Sequence, residues 1–241
     1  MGGLKMRITT CEFGMRWISN YFYALAICSL ASICCASAQD SPAGGFLRIV
    51  NAVGGGEQRL HVEVDGKSIH PDGCKSGGVT GGLWMLASGH RLKFSVAGAR
   101  SATMMHDVKA GKTLVLIVYA EWLPGKQGSE GEWTIRVMEL KAHQPAKGKA
   151  LTVVSVSRWD RLKVELGQMD QSWSGLFLKS GDIERRPLDW PHGYVPIRLN
   201  GKRLASIPVA SAANYFVILY DGFDGVVRAL SFKDRVYGEP R

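Results

Sequence analysis

The stretch Val108–Trp122, VKAGKTLVLIVYAEW, decides how the rest of the chain is interpreted. A glycine turn leads into a continuous run of β-favouring apolar residues, from Leu114 to Tyr119. Such a run without polar alternation is typical of a strand that is buried on both faces. The pattern recurs at Ala213–Gly222, ANYFVILYDG. We therefore expect one central, doubly buried strand in each half of the chain.

Other segments alternate apolar and polar residues, as half-buried strands do. Leu60–Val64 (LHVEV) is an example, and it ends at Asp65-Gly66, a strong signal for a two-residue hairpin turn. A second tight hairpin turn is predicted at Asn200-Gly201. No segment between residues 39 and 241 shows a helical period, and turn signals recur at short intervals. The expected class is all-β, with many short strands in sandwiches.

The two halves share a sequence pattern that indicates a diverged tandem repeat. LRIV at Leu47–Val50 resembles LTVV at Leu151–Val154, and HVEV at His61–Val64 resembles KVEL at Lys163–Leu166. Each match is short, so coincidence remains the alternative. We predict two tandem antiparallel β-sandwich domains of immunoglobulin-like type, at residues 39–142 and 151–241, joined by a linker at 143–150.

The amino terminus predicts an export signal. Basic residues precede an apolar run at Tyr21–Cys35, and Ala36-Ser37-Ala38 matches the small-x-small pattern that signal peptidase cleaves. We therefore assign residues 1–38 to a cleaved signal peptide and expect a periplasmic or extracellular protein. The alternatives are a retained membrane anchor and a lipoprotein, whose lipidated cysteine would be one of Cys28, Cys34 and Cys35.

Removal of the leader restricts the chemistry and the partners of the mature protein. Cys74 becomes its one cysteine, so an intramolecular disulfide or a cysteine-based metal site is excluded. The net charge is +9 for the whole chain and about +7 without the leader, which carries Lys5, Arg7 and Arg16 against Glu12, and this balance favours acidic partners such as anionic glycans. Export disfavours nucleic acid as a partner, and membrane contact is expected only through the leader. The positive residues are scattered, so a solvated basic surface is the simpler interpretation, and the oligomeric state stays open.

The first half also resembles a known family. It opens with Leu47–Ala52 (LRIVNA), continues through Val62–Gly66 (VEVDG) to Gly89-His90, and enters the long strand through Ala110–Leu114 (AGKTL). This order resembles a family of exported bacterial β-sandwich domains of unknown function, numbered 4397. The resemblance covers Phe46 to Ala120 and implies an extracytoplasmic, non-catalytic domain. The second half keeps Asn200-Gly201 and the long strand without an Ala-Gly-x-Thr equivalent.

Catalytic and metal-binding patterns are weak. His61 and Glu63 could place two ligands on one strand face, but the sequence supplies no third, so we predict no metal and no cofactor. Ser88-Gly89-His90 is interpreted as a turn rather than a nucleophile beside its base. A glycosidase needs two carboxyl groups across a cleft. The sequence does not fix the distances between the carboxylates that could form such a pair. They are Glu121, Glu130, Glu132, Asp182, Glu184 and Asp189.

Tryptophan and tyrosine are the residues with the clearest binding potential, because sugar rings stack on exposed aromatic faces. We predict ligand-binding residues at two places. The first is Glu121 with Trp122 at the end of the long strand, and the second is Trp190 with His192 and Tyr194 in a proline-rich loop. Trp84, Trp133 and Trp173 are expected to fill the cores, and packing at the base of loops is the alternative for Trp122 and Trp190.

The functional expectation is an exported, non-catalytic envelope protein that acts in surface binding, adhesion or assembly, with an envelope protein or a glycan as partner. The alternative is a carbohydrate-binding module for anionic glycans, and a small hydrolase is the third hypothesis.

Overall fold

The strands follow one another along the whole described part of the chain. The computed structural model describes residues 43–54, 57–126, 130–140, 148–168 and 172–234. Within these ranges it has 17 strands and no helix, which confirms the all-β prediction. The predicted signal peptide lies outside the described residues. No helix in the described ranges is a candidate for a membrane span.

The first nine strands form two sheets that pack face to face. They are β1 (Gly44–Ala52), β2 (Arg59–Val64), β3 (Lys67–Ser68), β4 (Cys74–Lys75), β5 (Leu83–Leu86), β6 (Gly89–Ser95), β7 (Ala102–Asp107), β8 (Thr113–Leu123) and β9 (Glu132–Leu140). One sheet has the order β5-β1-β8-β9, and the other has the order β3-β2-β6-β7 with β4 paired to β2. We call them the inner and outer sheets of the first sandwich.

The remaining eight strands repeat this arrangement. They are β10 (Lys149–Ser155), β11 (Leu162–Gly167), β12 (Trp173–Leu178), β13 (Ile183–Pro187), β14 (Gly193–Leu199), β15 (Lys202–Val209), β16 (Ala213–Asp221) and β17 (Val227–Lys233). The inner sheet of the second sandwich has the order β13-β10-β16-β17, and its outer sheet has the order β12-β11-β14-β15. The two sandwiches therefore share one topology, in agreement with the sequence matches between the halves.

Pairing direction differs from the antiparallel expectation at one ladder in each sandwich. β1 runs parallel to β8 with Leu47 opposite Leu114, and β10 runs parallel to β16 with Leu151 opposite Tyr215. Parallel neighbours need a long crossover, and here the intervening strands of the same sandwich supply it. The sequence does not indicate the parallel pairing, because a strand that is buried on both faces has the same apolar pattern whichever direction its neighbour runs.

The two long apolar runs occupy the centres of the inner sheets, as expected. Leu116 and Val118 in β8 face the core of the first sandwich, whereas Val115 and Ile117 face the second sandwich. A third apolar cluster therefore lies between the inner sheets; its buried members are Val50, Ala52, Val115, Ile117, Leu140, Val154, Val156, Phe216, Ile218, Tyr220 and Leu230. This cluster, the inter-sandwich core, explains why the central runs of β8 and β16 have no polar alternation.

A buried arginine ties the same two sheets together at one end of this core. Arg48 in β1 is 5% exposed, and its Nη1 donates a hydrogen bond to the carbonyl oxygen of Lys233 at 3.2 Å. Its guanidinium also lies over the Phe232 ring, 4.9 Å from the centroid. A buried charge needs such partners to offset its desolvation. The pairing therefore holds β1 against the last strand of the second sandwich.

Both predicted hairpin turns are present. Asp65 and Gly66 have φ of 50° and 79°, and Asn200 and Gly201 have φ of 50° and 80°. Two consecutive residues with positive φ are what a type I′ turn requires, and its twist matches that of the strands it joins. The predicted linker at 143–150 lies outside the described residues up to 147, and β10 already begins at Lys149.

The core prediction for Trp84 was wrong. Trp84 is 46% exposed, whereas its neighbour Met85 is buried. The register of β5 against β1, with Phe46 opposite Trp84, points residues 83 and 85 into the core and Trp84 outward. A one-residue change of phase moves every side chain of a strand to the opposite face, and a four-residue strand carries too little pattern to fix that phase.

Candidate functional site

The main candidate site is a groove of about 430 Å³ on the outer sheet of the second sandwich. Its lining residues come from β11, β12, β14 and the segments beside them: Gly167, Gln168, Ser172, Trp173, Trp190, Tyr194, Pro196 and Arg198. Three of these side chains are aromatic. The structure thus brings together Trp190 and Tyr194, both predicted from sequence as ligand-binding residues. It adds Trp173 and Arg198, which were not predicted to bind a ligand.

Strand alternation places one wall of the groove. In β14, Val195 and Ile197 are fully buried in the core of the second sandwich. Tyr194 must therefore point to the opposite face, together with Pro196 and Arg198, because successive side chains alternate across a strand. Tyr194 is 70% exposed, so the face and hydroxyl of its ring are open to a ligand.

Gly167 in β11 also lines the groove, and it pairs with Trp173 in β12. A Cβ atom at this position would lie 2.6 Å from Cγ of Pro196, inside van der Waals contact. The absence of a side chain therefore lets the Pro196 ring, which also lines the groove, pack against the backbone of β11.

Trp173 packs against an arginine and does not fill the core, contrary to the expectation from sequence. The Arg198 guanidinium lies over the Trp173 ring, with Cζ 3.8 Å from its centroid. A guanidinium on an indole face is an attractive cation–π pair, and stacking fixes the plane of the cation. The aromatic wall of the groove is thereby joined to a positioned positive charge.

The proline-rich segment that carries Trp190 is anchored to the inner sheet. Lys149 Nζ donates a hydrogen bond to the Trp190 carbonyl oxygen at 2.6 Å, and it also contacts the Pro191 carbonyl oxygen. The Trp190 ring packs partly on the second core and partly lines the groove. His192, the third residue predicted here, is exposed and lies outside the groove lining.

Glu121 and Trp122, the other predicted pair, lie on the first sandwich and not at this groove. Glu121 Oε2 accepts a hydrogen bond from Arg136 Nε at 2.6 Å. The Trp122 ring meets Trp133 edge to face with centroids 5.4 Å apart, and Trp133 in turn packs on Phe223 at 5.2 Å. Trp122 keeps 38% of its surface exposed. This row of rings holds the end of β8 against the second sandwich.

A larger groove, of about 510 Å³, lies on the first sandwich between β7, β8 and β9. Its lining mixes cationic and anionic side chains, including Lys109, Lys112, His106 and Glu139. His106 and Glu139 face each other with Nε2 and Oε2 3.7 Å apart. Aromatic rings do not line it. Among the described residues it therefore offers charge of both signs without a stacking surface.

Asp65 meets Ser88 and His90, which lie more than 20 residues later in the chain, in an arrangement that resembles a hydrolase triad. His90 Nδ1 lies 2.6 Å from Asp65 Oδ2, and His90 Nε2 lies 3.1 Å from Ser88 Oγ. However, Nε2 is also 3.0 Å from the Leu86 carbonyl oxygen, which can only accept a hydrogen bond. Nε2 must therefore carry a hydrogen, so it cannot take a proton from Ser88 as a general base would.

The hydrogen bonds of this cluster shift the pKa values of both ionisable partners. The hydrogen bond with Asp65 is the main cause that raises the pKa of His90, and the Leu86 carbonyl adds to it. Reciprocally, the hydrogen bond with His90 lowers the pKa of Asp65. The cluster is a clamp between the hairpin turn after β2 and the turn before β6, which matches the interpretation of Ser88-Gly89-His90 as a turn.

The described residues contain no group of three or more histidine, cysteine or carboxylate side chains that could hold a metal ion. His61, on the exposed face of β2, has Glu63 two residues away on the same face, and Glu63 is paired with Lys93 Nζ at 2.9 Å.

Comparison with known proteins assigns neither a family nor a function to the chain. No protein-family model and no curated protein matches the chain. Among solved structures, a family 26 carbohydrate-binding module from Eubacterium rectale Amy13K, in complex with maltoheptaose, aligns with 80% of this chain and 97% of its own length, at 9% identity and a TM-score of 0.22. A TM-score of 0.22 is too low to transfer a fold or a function.

Proposed function

We propose that this is an exported, non-catalytic binding protein that holds a glycan in the aromatic groove of its second sandwich. The observation that supports the proposal most directly is the convergence of Trp190 and Tyr194 on one groove. Flat aromatic faces beside a few polar groups suit the alternating apolar and hydroxylated faces of a sugar ring. The polar groups here are the Tyr194 hydroxyl, the Gln168 amide and the Arg198 guanidinium.

The rigid surroundings of the groove favour binding. Tyr194, Pro196 and Arg198 stand on β14, whose opposite face is buried through Val195 and Ile197, and the segment of Trp190 is held by the hydrogen bond from Lys149. A site built on such elements loses little conformational freedom when a ligand binds. These groups recognise a ligand by stacking and hydrogen bonding, whereas a glycosidase works through a pair of carboxyl groups.

The test is a glycan array followed by titration of the best ligands, with Tyr194→Ala as the main variant. Because Tyr194 is largely exposed, its removal should leave the fold intact, and we expect affinity to fall about tenfold from the loss of one stacking ring. Phe177→Ala is the matched control, since Phe177 is an exposed aromatic residue of the same sheet outside the groove lining.

Two outcomes would contradict the proposal. One is that no glycan binds the correctly folded protein. The other is that Tyr194→Ala and Phe177→Ala retain the same affinity as the parent. Adhesion or assembly through an envelope protein would then be the better proposal, and a pull-down from envelope extracts would identify that partner.

A further inference from the structure

We infer that the glycan held in the groove is acidic, and that Arg198 binds the carboxylate of a uronic acid residue. This inference rests on the proposed function, because it assigns the class of ligand to the same groove. Among the described residues that line the groove, the guanidinium of Arg198 is the one side chain with a full charge at neutral pH.

The orientation of Arg198 suits a carboxylate. Its guanidinium is stacked on Trp173, with Cζ 3.8 Å from the ring centroid. All N–H donors of a guanidinium lie in its own plane, so stacking one face on a ring leaves the donor edges pointing sideways. A carboxylate can approach such an edge with two parallel hydrogen bonds, which a neutral hydroxyl cannot make.

The aromatic residues then divide into two roles. One face of Trp173 is covered by Arg198 and is not available to a sugar ring. Trp190 and Tyr194 supply the remaining ring surfaces of the groove. Arg198 lies on the same face of β14 as Tyr194, four residues further along the strand, with Pro196 between them. A glycan stacked on Tyr194 would therefore extend over the face that presents Arg198. Trp173 is therefore a positioning residue for the cation.

The cross-strand neighbours of Arg198 indicate an excess of positive charge. In β15, Arg203 lies directly opposite Arg198, and like charges in that position repel each other. On the other side, Glu165 lies opposite Arg198 in β11. That carboxylate is paired with Lys163 Nζ at 2.8 Å; this hydrogen bond is the main cause of its lowered pKa, and the positive charge of Arg198 contributes to the lowering. One carboxylate thus stands among three cationic side chains. An anionic ligand beside Arg198 would offset the repulsion between the two arginines.

The experiment compares one oligosaccharide in two charge states. A tetrasaccharide of galacturonic acid and its carboxyl-reduced counterpart, tetragalactose of the same linkage, are titrated calorimetrically into the purified protein at low salt. The variants are Arg198→Gln, which removes the charge, and Arg198→Lys, which keeps the charge without the planar fork. Arg161→Gln is the matched control, because Arg161 also stacks on an aromatic ring of this sheet, Phe177, at 4.3 Å.

We expect the acidic ligand to bind at least tenfold more tightly than its reduced counterpart. Arg198→Gln should lower affinity for the acidic ligand by about 10- to 100-fold, as loss of a charge-assisted bidentate pair does. Arg198→Lys should recover only part of that loss, and Arg161→Gln should bind like the parent. Circular dichroism of each variant verifies that the fold is retained.

Three results would overturn the inference while leaving glycan binding intact. They are equal affinity for the two ligands, no change of acidic-ligand affinity in Arg198→Gln, and equal losses in Arg198→Gln and Arg161→Gln, which would indicate general attraction to a basic surface. Failure of the proposed function is a different result: no oligosaccharide of the array, neutral or acidic, would bind.

Discussion

Val153 and Val154 in β10 offer a direct comparison of the two kinds of core in this protein. The two residues are of one type, adjacent and 2% and 0% exposed. Val153 faces the core of the second sandwich, whereas Val154 faces the inter-sandwich core. Val154 pairs with Ile218 in β16, which belongs to the same inter-sandwich core. Truncation to alanine removes the same group from each side of one strand.

The expected loss of stability is the same at both positions. Removing two methyl-sized groups costs about 1.6 kcal/mol in transfer free energy, and the cavity left in a close-packed core adds to this. We therefore expect Val153→Ala and Val154→Ala each to lower the free energy of unfolding by about 2–3 kcal/mol. Equal costs would mean that the contact between the inner sheets is as well packed as a domain core.

The assay is urea unfolding followed by circular dichroism, with the slope of free energy against urea concentration compared among the proteins. An unchanged slope shows that the variants unfold through the same transition as the parent. The account would be refuted if Val154→Ala cost less than about 0.5 kcal/mol while Val153→Ala showed the full loss, because surface substitutions have effects of that small size.

Two further predictions concern the groove and the histidine clamp. Gly167→Ala should weaken glycan binding, because a Cβ atom 2.6 Å from Cγ of Pro196 would displace the proline ring that lines the groove. Titration of the array's best ligand would show the loss, and unchanged affinity would contradict this. His90→Gln should destabilise the protein most near pH 5–6 and progressively less towards pH 9, as thermal melts at several pH values would show. The raised pKa of His90 gives stabilisation that is complete below about pH 6.5 and is lost as the pH rises through the folded-state pKa, while the lowered pKa of Asp65 gives stabilisation that is lost in acid. A difference between parent and His90→Gln that does not vary with pH would contradict the clamp.

The fold was predictable where the pattern is local and long. The apolar runs at Leu114–Tyr119 and within Ala213–Gly222 identified both central strands, and the Asp-Gly and Asn-Gly pairs identified both type I′ turns. Continuous burial and positive φ each leave a strong local signature. The parallel pairing of β1 with β8 leaves none, because it depends on which distant strand completes the sheet.

The candidate site was predictable only in part, for the same reason. Trp190 and Tyr194 lie close in sequence and were found by their aromatic character beside prolines. Trp173 and Arg198 meet across the sheet from strands on either side of β11, so their contact depends on the registers of two ladders. The alternation of Val195 and Ile197 with Tyr194 and Arg198 was the available signal, and it would have placed Arg198 on the outer face.

Chemical-shift mapping of the tryptophan indole N–H groups would show whether the glycan binds in the groove of the second sandwich. Titration with the tightest-binding oligosaccharide of the array should move the Nε1–H signals of Trp173 and Trp190, the tryptophans that line the groove, and leave those of Trp84 and Trp122 on the first sandwich unchanged. Saturable shifts at Trp122 with none at Trp173 or Trp190 would contradict the account and place the binding site at the end of β8.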